Sequence, residues 1–167
     1  MNADFKQSAT GESSPQNQLV FVSDFMDTIV SSYGNNIPLL QLLNDAHKAG
    51  HRVIVASTSA LSSVKSVLDI IPTYGRRNNI PLDNVKQFEI MAKYQLHELT
   101  DAAGHPLEFD FVFDDQPVSY VTPKNEIRVT PPFTNGAPFN TSPLTLEQIR
   151  QKLIQSPLNI FAPDRNL

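Results

Sequence analysis

Three short apolar runs in this chain end in residues that can do chemistry. Leu19 to Val22 runs into Ser23 and Asp24, Val53 to Ala56 runs into Ser57 and Thr58, and Phe109 to Phe113, apolar but for Asp110, runs into Asp114 and Asp115. Continuous apolar runs of this length suit strands buried on both faces. In an open parallel sheet, ligands bind beyond the carboxyl ends of the strands. Three carboxylates and two hydroxyls on one such rim have the makings of a site for a hard divalent cation and an oxyanion. Mg²⁺ takes a few carboxylates and completes its octahedron with water and phosphate oxygens. Ser57 and Thr58 also precede a helical pattern, and the N–H groups and positive dipole end of a helix N-terminus attract phosphate. The four histidines show no metal-ligand spacing, since His47 and His51 straddle Gly50.

The intervening segments supply the elements that must position these residues. Apolar residues at 37, 39, 40, 42, 43 and 46 predict a helix over Ile37 to Ala49, stopped by Gly50. Leu61, Val64, Val67, Leu68 and Ile71 predict a second helix, closed by Pro72, with 72–82 as loop. A third helix is expected from the Asp83 cap to about Ala103, with Val85, Phe88, Met91, Ala92, Leu96 and Leu99 inward. Ile127 to Thr130 reads as a fourth strand. The alternation implies an α/β fold: a Rossmann-like, mainly parallel sheet with helices on both faces. Residues 1–17 carry too little apolar surface to order, so they are expected to be a disordered arm before an α/β domain over 18–130. Eight of the 13 prolines fall from Pro117 onward, so 131–167 reads as a proline-rich segment with one helix near 144–155.

Composition narrows the function classes. The 167 residues carry a formal net charge of -4, which argues against a nucleic-acid binder working through bulk positive charge. There is no cysteine, which excludes disulfides, thiolate metal sites and a Cys nucleophile. No apolar run approaches the roughly 18 residues of a membrane span, and the N-terminus has no signal-peptide pattern. A cytoplasmic domain without membrane insertion is the expectation.

The order of these motifs resembles the haloacid dehalogenase (HAD) superfamily of phosphohydrolases and their relatives. That family's first motif is an apolar strand followed by Asp-x-Asp-x-Thr, and this chain has Val22-Ser23-Asp24-Phe25-Met26-Asp27-Thr28-Ile29. Its second motif matches Val53 to Ser57, and its paired-acid motif matches Phe111 to Asp115. The resemblance covers about residues 19 to 130. It implies Asp24 as a nucleophile forming an aspartyl-phosphate, and Mg²⁺ held by Asp24, the Met26 carbonyl and Asp114 or Asp115. It further implies phosphoryl oxygens held by Thr28, Ser57 and Thr58 together with a lysine. Lys86 and Lys93 both qualify. On the predicted third helix Lys86 lies in the first turn, at the rim, with Lys93 roughly 10 Å down the axis, so Lys86 is favoured. Segments 29–36 and 72–82 are too short for a large cap domain.

Met26 departs from the family pattern. It occupies the place of the Asp that protonates the leaving group and activates water, and a thioether has no proton to give. Asp27 would do that work only with a one-residue shift of the loop. Two readings follow. One is a HAD-like domain binding Mg²⁺ and a small phosphorylated or otherwise anionic molecule, with phosphatase chemistry on Asp24. The other is a pseudoenzyme that keeps the fold as a module for a protein partner, favoured by Met26 and the proline-rich C-terminus.

Overall fold

Every residue of Val20–Asp24 is buried, and this segment, β1, is the middle strand of the sheet. The computed structural model describes residues 18–31, 34–129 and 148. After β1 come a small antiparallel pair, β2 (Val30–Ser31) and β3 (Gly34–Asn35), then α1 (Ile37–Lys48), β4 (Arg52–Ser57) and α2 (Leu61–Arg77). A 3₁₀ turn (Val85–Gln87) leads into β5 (Glu89–Ala92), and a second (Lys93–Glu98) leaves it; β6 (Phe111–Asp114) and β7 (Glu126–Arg128) complete the order.

The five-stranded sheet runs β5-β4-β1-β6-β7, and every neighbouring pair is parallel. The chain builds outward from β1 through β4 to β5, then returns to the other side of β1 for β6 and β7. The strand order therefore reverses between β1 and β6, which makes the crevice beyond their carboxyl ends the expected ligand position. Register places Asp24 opposite Ala56, and Ser23 opposite Phe113. Asp24 and Asp114 thus leave adjacent strands at the same edge.

Side chains alternate between two cores, as strand geometry requires. On one face Phe21, Val53, Val55, Phe111 and Phe113 pack with Leu39, Leu40 and Leu43 of α1 and with Val64, Leu68 and Ile71 of α2. On the other, Val20, Val22, Ile54, Ala56 and Val112 are covered by Leu96, Leu99, Leu107, Val118 and Tyr120. That second layer is a 3₁₀ turn and loops. Among the described residues the long helices occupy one face of the sheet, whereas the sequence pattern placed helices on both.

Local chemistry explains α1. Asn36 accepts a hydrogen bond from the Leu39 N–H at its start, Pro38 sits in the first turn, and Gly50 takes φ 101° just past its end. α2 corrects a sequence expectation, because it continues through Pro72 to Arg77. Pro72 forfeits one helical hydrogen bond, at a cost of about 3 kcal/mol. Burial of Ile71, Pro72 and Gly75 around that point offsets the loss. Gly75 is required there: a Cβ would fall 2.4 Å from the Ile80 carbonyl oxygen.

The helix expected over 83–103 is not formed. Val85–Gln87 is a single 3₁₀ turn, and Glu89–Ala92 is a strand paired with β4 from Ile54 to Ser57. The Arg52 guanidinium grips Glu89 through two hydrogen bonds, of 2.7 and 2.9 Å, across that pairing. An open edge of β4 outcompeted a spacing that also fits a helix. The arm expected over 1–17 lies outside the described residues, as does the 131–167 segment apart from Gln148, which is helical and exposed. Among the described residues no helix is long and apolar enough to cross a membrane.

Candidate functional site

The chain turns sharply after β1. The Phe25 carbonyl accepts from the N–H groups of Thr28, Ile29 and Val30, and Asp27 sits in the left-handed region at φ 62°. Asp is among the few non-glycine residues that tolerate that conformation. The turn brings Thr28 back over the strand end, where its hydroxyl donates to Asp24 Oδ2 at 3.0 Å. The same Thr28 oxygen accepts the Asp115 N–H at 3.1 Å, and Asn36 Nδ2 donates to the Thr28 carbonyl at 3.0 Å. Thr28 therefore ties the loop after β1 to the loop after β6.

Asp114 is almost wholly enclosed, with 1% of its surface exposed. Its Oδ1 accepts from the Gln116 N–H at 3.0 Å, and its Oδ2 accepts from the Tyr120 hydroxyl at 2.7 Å. Lys93, the first residue past β5, completes the cluster. Its Nζ lies 3.0 Å from Asp24 Oδ1 and 3.0 Å from Asp114 Oδ2. The ammonium also stands over the Tyr120 ring, 4.9 Å from its centroid. Asp24, Asp114 and Asp115 each offer an oxygen within 4.8 Å of the others.

Burial sets the electrostatics. The Asp24 carboxyl is pushed up to about 6, first by desolvation and then by the Asp114 charge; Lys93 and the Thr28 hydroxyl pull the other way. Burial alone would lower Lys93, but its bonds to Asp24 and Asp114 outweigh that and hold the ammonium above its ordinary value. Burial, and then the charge of Asp114, push the Tyr120 phenol up, so it stays a hydrogen-bond donor. The assembly is a set of hard oxygen ligands around one fixed cation, suited to a divalent ion and to the oxygens of an anion.

Of the residues singled out from sequence, Asp24, Thr28, Asp114 and Asp115 come together at the switch point. Ser57 is buried at the end of β4, and its hydroxyl accepts the Ser59 N–H at 2.9 Å; Thr58 is exposed beside it. Asp27 and Met26 are exposed on the turn, Met26 by 47%. Lys86 is not brought to this rim. It lies in the exposed turn that precedes β5, at the amino edge of the sheet, on the order of 10 Å from the rim for a four-residue strand. The ammonium at the site is that of Lys93.

Sequence reasoning assigned no role to Tyr120. Lys93 carried a usable signal, since it ends the apolar run Ile90-Met91-Ala92 in the way Asp24 and Asp114 end theirs. Tyr120 carried none, because a tyrosine inside a Pro- and Ser-containing loop has no period that marks it as buried. No family model, curated protein or solved structure matches the chain.

Proposed function

We propose that this chain is a HAD-like domain whose β1/β6 rim binds Mg²⁺ together with a small phosphorylated or otherwise anionic molecule. The observation that carries the reading is the convergence of Asp24, Asp114 and Asp115 within 4.8 Å at the point where the strand order reverses, beside a partly buried ammonium. The donor set fits a hard cation: three carboxylate oxygens, with the Met26 carbonyl on the adjoining turn. Asp24, Asp114 and Asp115 would hold the ion, which supplies neutralisation of phosphoryl charge.

The chain's own groups account for the rest. Asp24 is the only one of the three acids that leaves β1, the central strand, and Thr28 fixes the orientation of its carboxylate through Oδ2. It is the nucleophile of this reading: a carboxylate oxygen attacks phosphorus, the P–O ester bond breaks with its electron pair going to the leaving oxygen, and an aspartyl-phosphate results. Lys93 meets the phosphoryl oxygens, and Ser57 lies on the neighbouring strand end. Protonating the leaving oxygen and then activating water for hydrolysis both need a proton carrier, and Met26 cannot be one. A second reading draws on the same residue. With an exposed thioether at the acid position, the rim holds its ligand without turning it over, as a binding module for an anionic small molecule or a protein partner would.

Calorimetry tests the shared core of both readings. The wild-type chain should bind Mg²⁺ at millimolar concentration or below, and an Asp114→Ala, Asp115→Ala double variant should bind it at least tenfold more weakly. Absence of binding in the wild type removes the metal-site reading.

A further inference from the structure

All four carboxylate oxygens of the buried acid pair already have protein donors. Asp24 Oδ1 meets Lys93 and Oδ2 meets Thr28; Asp114 Oδ1 meets the Gln116 N–H and Oδ2 meets both Lys93 and Tyr120. Two carboxylates this far from water require a cation, and Lys93 is that cation. Its nitrogen stands 3.0 Å from one oxygen of each acid, among the carboxylates that would hold an ion. Mg²⁺ requires its oxygens at roughly 2.0–2.1 Å in near-octahedral order. An ammonium and a metal ion cannot share the space between the same two oxygens.

We infer that Lys93, steadied by Tyr120, is the built-in counter-cation of the site and must leave Asp24 and Asp114 for a divalent ion to enter. This rests on the metal-binding reading above and adds a regulatory consequence. Once released, the ammonium needs another anion, and phosphoryl oxygens at the rim are its nearest new partner. Anion and metal then bind with positive coupling, and by linkage each raises the affinity of the other by the same factor. Without an anion, Lys93 competes with the metal ion for Asp24 and Asp114 and weakens its binding. Tyr120 is a positioning residue here: its hydroxyl holds Asp114 Oδ2 and its ring faces the ammonium.

Calorimetric Mg²⁺ titrations with and without inorganic phosphate, on the full chain, test this. In the wild type, phosphate should tighten Mg²⁺ binding several-fold. Lys93→Met should bind Mg²⁺ about tenfold or more tightly without phosphate, because a unit charge beside the ion is gone, and phosphate should tighten it by a smaller factor than in the wild type. A merely structural lysine would give neither the gain nor the loss of coupling. Lys93→Met that binds Mg²⁺ no more tightly than a binding-competent wild type overturns the inference and leaves the metal reading intact. No binding by either protein overturns both. If Lys93→Met does not fold, Tyr120→Phe decides: it keeps the ring, frees an Asp114 oxygen and should bind Mg²⁺ more tightly, and weaker or unchanged binding overturns the inference.

Discussion

The two ends of the one sheet hold charge in opposite ways. At the amino edge, a cleft of about 680 Å³ is lined by Leu19, Arg52, His105, Asp110 and Lys124 among others. Its charges are paired in water: Lys124 reaches Glu108 at 2.9 Å with side chains 54% and 75% exposed. At the carboxyl rim Asp24 and Asp114 are held almost out of solvent, and the Lys93 ammonium that pairs with both is largely covered. Exposed ion pairs contribute little, whereas buried charges carry a desolvation cost that only mutual pairing or a ligand repays. The cleft therefore lies at one end of the sheet and the electrostatic cost at the other. The cost is the better guide to chemistry, since perturbed and clustered ionisable groups concentrate at functional sites.

That contrast can be sharpened by experiment. If the rim lacks only a proton carrier, Met26→Asp should raise Mg²⁺-dependent hydrolysis of a simple phosphate ester by about 10²–10⁴-fold. Adding Asp24→Asn should abolish the gain. A Met26→Asp protein that folds, binds Mg²⁺ and stays inert would favour the binding-module reading. The next largest effect is on stability. Lys93→Met leaves two buried carboxylates facing each other and should cost about 3–5 kcal/mol in metal-free denaturant titrations at pH 7.5.

Asp24 gives the contrast a pH signature. Its folded pKa lies at about 6, above the ordinary value of 3.8, so the folded state holds the proton more tightly than the unfolded chain does. The stability this proton contributes is full below about pH 4 and is lost as pH rises through 6. The stability of Asp24→Asn relative to wild type should therefore improve between pH 5 and pH 7.5, by about 1–2 kcal/mol. A flat difference across that range would show that Asp24 is not strained by burial. The smallest effect belongs to the amino edge. Arg52→Met breaks a geometrically good but partly exposed pair with Glu89 and should cost no more than about 1 kcal/mol.

The contrast also explains what the sequence could disclose. Asp24 and Asp114 were legible because an apolar run buried on both faces must be a strand, and its end must be a rim. α1 was legible because Asn36, the apolar stripe and Gly50 agree on its limits. The segment from Val85 to Leu99 misled because Val85, Phe88, Met91, Ala92, Leu96 and Leu99 fit a helical spacing. Only the unpaired edge of β4 makes Glu89–Ala92 a strand, and that edge is a tertiary fact. The error carried over to the site, since a helix put Lys86 at the rim and the strand puts Lys93 there. Pro72 misled in the same way, because packing on both sides of it overrides a local stop.

On the proposal above, the β1/β6 rim receives a metal ion and a phosphoryl group together. A crystal structure of the protein grown with Mg²⁺ and beryllium fluoride tests it most directly. The account predicts the ion on oxygens of Asp24 and of Asp114 or Asp115, the fluoride adduct on the Asp24 carboxylate, and Lys93 moved off Asp114 to the adduct. Lys93 still bridging Asp24 and Asp114, with neither ion nor adduct at the rim, would contradict it.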